Sequence, residues 1–465
     1  MDPKVIEDLK SIVGPNYVIS DPEGVRPYLL DETSKNICPE PCSDVVVVKP
    51  KNTEEVSKVM KFAYSREIPV VPRGGGTGLA GGVVPVKPSI ILSLERIKER
   101  IEVDRDNLTM TCDAGVTLGE ILEHLEKNVE DLWFPLHPGD EGATIGGLAA
   151  CNAGGARAVK YGVMRNYIAG MTVVLPTGKV FKLGGKMVKN VAGYSLMHLL
   201  IGSEGTLGII TEVTIRLKPK PWGTYTLVVP YEDANKAIET VPPILRSGII
   251  PLAIEYIEKE GIEAGEKATG EKWPVKGGQA YLMIVLEGMS EEELLYMSEK
   301  IAEICQEYGA TDIFLADTKR QQERILKVRS LIYEGLKDET VEILDVGVPI
   351  ASIADFVNKS REIGDKYGMK IVQYGHAGDG NVHQHPLKTG FREEEWKAFY
   401  PDLKREIFAL ARRFGGTLTA EHGIGLIKRE DVLHYLSEEE IRLMKGIKSL
   451  FDPKNLLNPG KVVVL

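Results

Sequence analysis

The residues best suited to chemistry crowd toward the C-terminal end, where four of the eight histidines, His376, His383, His385 and His422, fall close together. In YGHAGDGNVHQH, Gly375, Gly378 and Gly380 let the chain turn sharply enough to bring His376 and His383 to one point. Two imidazoles and a carboxylate make a common divalent-metal site with positions left open for a substrate. The carboxylate is expected at Glu421, because AEHGIG again sets polar groups among glycines. Zinc, iron or manganese would suit such a set. The plainer alternative makes these histidines turn and core residues, each satisfied by a backbone carbonyl.

A second chemistry is written in glycine. Arg73 to Gly82 reads RGGGTGLAGG and contains a formal G-x-G-x-x-G at Gly76, Gly78 and Gly81. A Rossmann loop must open a helix, and Pro85 and Pro88 follow too soon for one. What remains is a run of N–H groups able to approach an anion closely. A second glycine-dense stretch runs from Gly139 to Gly155, with Thr144 placed to start a short helix, and a third runs from Gly202 to Gly208. Singly, such loops serve turns. Three in one segment suggest one extended ligand.

The positioning elements follow from pattern. Val45 to Val48, a helix from Thr53 to Arg66 and Ile68 to Val71 read as strand, helix, strand. Pro219 and Pro221 mark a boundary after the strand Gly208 to Leu217. Beyond it strands alternate with helices, including Leu252 to Ile257, Ala280 to Leu286, helical Glu291 to Tyr308, helical Asp317 to Leu336 and the strand Val341 to Val348. That order implies an α+β sheet covered by helices. The tail reads as two histidine-bearing loops and a turn-rich Phe451 to Lys461. Asp2 and Pro3 are placed to start the first helix.

Composition bounds the rest. A chain of 465 residues implies two or three packed units. A net charge of −10 argues against nucleic acid and anionic membranes, and no local basic cluster is expected to reverse it. The N-terminus lacks a signal-peptide core and no apolar run reaches membrane length, so the expected location is cytoplasmic. Five scattered cysteines suggest neither disulfides nor an iron-sulfur ligand set.

RGGGTGLAGG, then PGDEGATIGG with CNAGG, then AGYSLMHLLIGSEGTLGIITE together resemble the vanillyl-alcohol oxidase/PCMH-type FAD flavoproteins. The likeness covers nearly the whole chain and is nearest to the branch of the glycolate oxidase large subunit, D-lactate dehydrogenase and D-2-hydroxyglutarate dehydrogenase. It implies an α+β protein: an N-terminal helical segment (1–41) and a PCMH-type FAD-binding domain of two subdomains (42–219). A ferredoxin-like α+β substrate or cap domain (220–420) and a C-terminal segment returning to the flavin (421–465) complete it. It implies that Arg73, Gly74, Gly75, Gly76, Thr77, Gly78 and Gly82 hold the pyrophosphate. Pro138, Gly139, Thr144, Gly146, Asn152, Gly155, Tyr161, Gly162, Glu204, Gly205 and Ile210 would line FAD, with Asn458 and Lys461 near the flavin.

The same resemblance makes His376, His383 and Glu421 ligands of one divalent metal, His422 the general base, and Asn381 a neighbour of substrate or flavin. His385 matches no required position and reads as solvated or as a support behind the ligands. Arg329, in ILKVRSLIYEG near the expected start of a helix, corresponds to the substrate-carboxylate arginine. Relatives acting on dicarboxylates carry a lysine where Ile343 stands, two residues before Asp345, which favours a short apolar tail. The expected activity is oxidation of a small D-2-hydroxy acid, D-lactate first and glycolate second, with dissociable FAD. Electrons would leave for an electron transfer flavoprotein, an iron-sulfur subunit or a quinone. A non-catalytic flavin-binding relay subunit and a D-2-hydroxyglutarate dehydrogenase are the alternatives, and a metal-free flavin oxidase of an alcohol or lipid is a third.

Overall fold

Asp2 and Pro3 start the first helix. In the computed structural model, which describes residues 1–463, the Asp2 carboxylate accepts the Lys4 N–H at 2.8 Å. The helix Pro3–Val13 then buries Val5, Leu9 and Val13. The chain divides into two units. One contains Met1–Ala153, Val163–Lys220 and the chain from Glu421 onward; the other contains Gly154–Gly162 and Pro221–Ala420.

The first unit carries two main sheets. β1 (Val18–Ile19), β2 (Val45–Val48), β3 (Val70–Arg73) and β4 (Ser89–Ser93) pair in the order β1-β2-β4-β3. β4 runs parallel to both β2 and β3. Burial on both faces explains the unbroken apolar run of β2, whose four valines are all buried. The helix Thr53–Arg66, capped by Asn52, joins β2 to β3 and packs Val56, Val59, Met60 and Ala63 into this core. The second sheet is antiparallel. It takes β5 (Ile101–Asp104), β6 (Thr109–Asp113), β8 (Ile168–Val174), β9 (Val180–Gly184) and β10 (Ile209–Arg216) in the order β5-β6-β10-β8-β9. A small ribbon pairs β7 (Leu132–Trp133) with β11 (Lys218–Pro219).

The second unit is built on one antiparallel sheet of β12 (Gly223–Tyr231), β13 (Ala253–Glu258), β14 (Ala280–Gly288), β15 (Phe314–Ala316), β16 (Leu344–Gly347), β17 (Ile371–His376) and β18 (Asn381–Pro386). Their order is β15-β12-β14-β13-β17-β18-β16. β13, β14, β17 and β18 are buried along their whole length. The expected helix Asp317 to Leu336 is two, Lys319–Ser330 and Ile332–Leu336, broken at Leu331. A long helix, Glu393–Arg413, was not legible in the sequence because Pro401 lies inside it. Among the described residues no helix is long and apolar enough to cross a membrane.

Candidate functional site

In the first unit, the first two glycine loops approach too closely for a side chain to stand between them. A Cβ on Gly74 would lie 2.5 Å from Thr144 Oγ1, and one on Gly75 would lie 2.5 Å from the carbonyl of Gly142. The first loop is therefore locked against the second. Thr144 caps the helix Ile145–Cys151 by accepting the Gly147 N–H. The first loop meets the third through Asn458, whose Nδ2 donates to the carbonyls of Gly82 at 3.0 Å and Glu204 at 2.9 Å. Asn458 is held in turn by its own N–H on Val70.

Glu204 follows a different course from a simple lining residue. Its carboxylate accepts the N–H groups of Ile424 at 2.8 Å and Gly425 at 2.7 Å, which fixes the loop Gly202–Gly208 to the C-terminal segment. Burial pushes its pKa up, against the pull of those two N–H groups. Arg73 is also committed within the unit. Its guanidinium donates to Leu30 O at 2.8 Å and Pro27 O at 3.3 Å, so it grips the N-terminal segment.

Lys461 is 1% exposed, and its Nζ has no hydrogen-bond partner among the described residues. Desolvation lowers its pKa to about 8, with Asp31 and Glu204 pulling it back up. The Oδ1 of Asn458 is likewise buried and unpartnered. These orphaned groups, beside loops too close for side chains, fit a large anionic cofactor such as FAD, which brings both acceptors and negative charge.

In the second unit the histidines stand on strands. His376 ends β17 and His383 lies in β18; the two strands form a hairpin closed over Ala377–Gly380, with His376 opposite Asn381. The expectation of histidine-bearing loops is corrected for this segment, because the glycines occupy the turn and the imidazoles the flanking ladder. The two rings sit 5.2 Å apart at 87°. His385 is fully buried and stacks 4.9 Å from Tyr374, which removes the solvated reading.

Two buried carboxylates organise this sheet. Glu255, in the middle of β13 and 1% exposed, lies 2.6 Å from His376 Nδ1 and also ion-pairs with Arg329, whose Nε donates at 2.7 Å. Burial raises its pKa, but Arg329 and His376 overcome that and hold it at about 2. An Nδ1 held on a carboxylate is the usual arrangement of a metal-binding imidazole, whose Nε2 would be the ligand atom. The donor chemistry therefore fits a divalent ion. Arg329 lies at the C-terminal end of the helix Lys319–Ser330, which corrects the expectation that it starts one. Its guanidinium also lies over the ring of Tyr374, 4.9 Å from the centroid.

Asp345 in β16 is the second carboxylate, fully buried. It accepts Asn381 Nδ2 at 2.7 Å, Thr419 Oγ1 at 3.0 Å and the Ala420 N–H at 3.0 Å. His383 Nδ1 lies 3.7 Å away. Asn381 thus spends its amide on β16. Asp345 thereby fixes the end of the second unit at Thr419 and Ala420, the residues that precede Glu421 in the chain. His422 Nε2 and Glu421 Oε1 are 3.9 Å apart.

Sequence reasoning missed Glu255 and Asp345 as site residues. The available signal was a carboxylate inside an otherwise apolar strand run, AIEYIE and ILDVGV, which burial tolerates only with cationic or N–H partners. The expected FAD residues are divided between the units. Gly155, Tyr161 and Gly162 belong to the second, where Tyr161 hydrogen-bonds Glu287 and Lys160 ion-pairs with it at 2.8 Å. Arg73, Gly74, Gly75, Gly76, Thr77, Gly78, Gly82, Pro138, Gly139, Thr144, Gly146, Asn152, Glu204, Gly205, Ile210 and Asn458 belong to the first. Ile210 is a buried strand residue of β10.

Comparison with known proteins gives two family matches. An FAD binding domain matches residues 45–184, and the C-terminal domain of FAD linked oxidases matches residues 220–462. A D-lactate dehydrogenase of Archaeoglobus fulgidus is 47% identical over 94% of this chain and 95% of its own. One of Anaerostipes hadrus is 38% identical over 99% and 97%. The glycolate oxidase subunit GlcD of Bacillus subtilis is 35% identical over 98% and 96%. Among solved structures, p-cresol methylhydroxylase with substrate bound shares the fold at a TM-score of 0.81, with 19% identity over 99% of this chain and 96% of the other.

Proposed function

The chain belongs to the FAD-linked oxidases, and from that premise we propose that it oxidises a small D-2-hydroxy acid, D-lactate before glycolate, to the 2-oxo acid. One observation carries the reading: Glu255 holds His376 and Arg329 on a single buried carboxylate. A metal-type imidazole and a carboxylate-binding guanidinium are thereby tethered together. Such a pairing suits a substrate that presents a hydroxyl beside a carboxylate.

Each residue then has a task. Arg329 pairs with the substrate carboxylate through its planar fork of N–H groups. His422 accepts the hydroxyl proton, the role of an imidazole acting as general base. Asn381 keeps Asp345, and through it the backbone before Glu421, in place. His376, His383 and Glu421 would hold a divalent ion, which would lower the pKa of a hydroxyl bound to it. The glycine cradle would hold FAD without a covalent bond, and FAD would supply the hydride acceptor.

The names of the relatives support D-lactate first and glycolate next. Relatives named D-2-hydroxyglutarate dehydrogenase are 30–32% identical, but Ile343 offers no charge to a second carboxylate. A relay subunit without catalysis would have no need of the Glu255 arrangement. Electrons leave for a separate carrier protein.

The test is anaerobic bleaching of the bound flavin by D-lactate, L-lactate, glycolate and D-2-hydroxyglutarate, with and without chelator. D-Lactate should bleach fastest and chelator should slow it. Bleaching by none of the four would overturn the activity; bleaching indifferent to chelator would remove the metal. His422→Ala should retain FAD and lose flavin reduction.

A further inference from the structure

Between Glu141 and Glu204 the chain contains no Asp or Glu, yet seven Lys and Arg: Arg157, Lys160, Arg165, Lys179, Lys182, Lys186 and Lys189. In a protein of net charge −10 this is a reversal of sign along the sequence. Lys186 is neutralised by Asp104 at 2.5 Å. Lys179, Lys182 and Lys189 are exposed and join no ion pair among the described residues.

The same stretch carries apolar surface with nothing packed over it. Phe181 is 43% exposed, Met187 52%, Val188 83%, Val191 96%, Tyr194 98% and Leu196 41%. Summed with their backbone, these six residues expose roughly 800 Å², about one partner's share of a stable protein interface. β9 lies at the outer edge of its sheet, so one side of its backbone is unpaired in the ladder. Unpaired strand edges suit a polypeptide, because only another chain supplies matching N–H and C=O groups.

We propose that residues 179–199 are the docking surface for an acidic electron-carrying protein, which takes the electrons released by substrate oxidation. This rests on the proposed dehydrogenase activity. Oxidation of a 2-hydroxy acid to a 2-oxo acid releases two electrons and two protons; the partner is reduced by the electrons and the protons go to solvent. Charge decides among occupants. A second copy docked symmetrically would set this basic stretch against itself, whereas an acidic partner meets the lysines and is steered to them. The segment leads directly into the loop Gly202–Gly208, which Asn458 and Glu204 tie to the proposed flavin cradle.

The experiment follows D-lactate oxidation by the holoenzyme with three acceptors: a small dye, purified electron transfer flavoprotein, and an acidic high-potential iron-sulfur protein. Two double variants are used, Val188→Asp with Tyr194→Asp and Lys182→Glu with Lys189→Glu. Flavin content and dye reduction should stay within about twofold of wild type, while transfer to a protein acceptor falls at least roughly tenfold. Raising salt from roughly 0.05 to 0.5 M should slow only the protein-linked rate. Wild-type transfer by both variants overturns the proposal, as does a wild type that reduces dye but neither protein. A loss in the variants of dimerisation, or of binding to phosphatidylglycerol vesicles, with protein-linked transfer intact assigns the surface to a second copy or a membrane instead. Failure to reduce even the dye refutes the activity and not the surface, which is then judged by sedimentation of the oxidised proteins together.

Discussion

Nδ1 of His376 lies 2.6 Å from a carboxylate oxygen of Glu255, at the point where β17 pairs with β13. The bond settles which ring nitrogen faces away from the sheet. Glu255→Gln keeps the shape and removes the charge, so divalent-metal affinity should fall about 10- to 100-fold. Metal content after dialysis, measured beside flavin content, checks this; unchanged metal retention would detach Glu255 from that role. The pH behaviour has a definite sign. The folded pKa of about 2 lies below the ordinary 4.5, so the stabilisation is present above about 4.5 and is lost as pH falls toward 2. Acid unfolding of Glu255→Gln should lack that component.

Arg329 shares the same carboxylate, so charge and geometry can be separated there. Arg329→Lys keeps a cation but loses the planar fork and the place over Tyr374. KM for D-lactate should rise by about tenfold or more, with flavin content unchanged. Arg329→Met leaves Glu255 short of a partner inside the sheet and should cost about 3–5 kcal/mol of stability, read from the denaturant midpoint.

The cradle depends on contacts between loops rather than within them. Asn458→Ala removes both donors that join Gly82 to Glu204. FAD dissociation should accelerate by at least about tenfold, at roughly 1 kcal/mol per lost hydrogen bond. Gly75→Ala places a Cβ against the Gly142 carbonyl, and should yield protein largely without flavin. Normal FAD content in both variants would contradict the location of the cofactor.

Lys461 tests the electrostatics of the empty-handed apoprotein. Its folded pKa of about 8 lies below the ordinary 10.5. Between those values the unfolded chain binds more protons than the folded one, so the apoprotein should gain stability as pH rises from about 8 to 10.5. In Lys461→Met that gain should disappear, and the variant should be the more stable apoprotein at pH 7. Thermal midpoints across the range measure it.

The glycine loops were legible because glycine at close approach leaves a mark in composition, and the loops kept their order. The metal-type histidines were legible as residue types. Their strands were not, because Gly375, Gly378 and Gly380 read as loop although they shape a hairpin turn and its ladder. Glu255 and Asp345 escaped notice for a physical reason. A charged residue in a strand ordinarily marks the solvent face, and only tertiary pairing shows that both are buried. Arg329 was found by likeness, but its helix end and its ion pair are properties of packing. The excursion Gly154–Gly162, which joins the other unit, leaves no compositional boundary at all.

Asn458 bonds to Gly82 across 376 residues of chain. The order of synthesis therefore matters. A nascent chain presents the first two glycine loops early, then the whole second unit must leave the ribosome before the residue that ties the first loop to the third appears. Flavin loading is therefore expected only after Asn458 has been made, and a product truncated before it should be colourless.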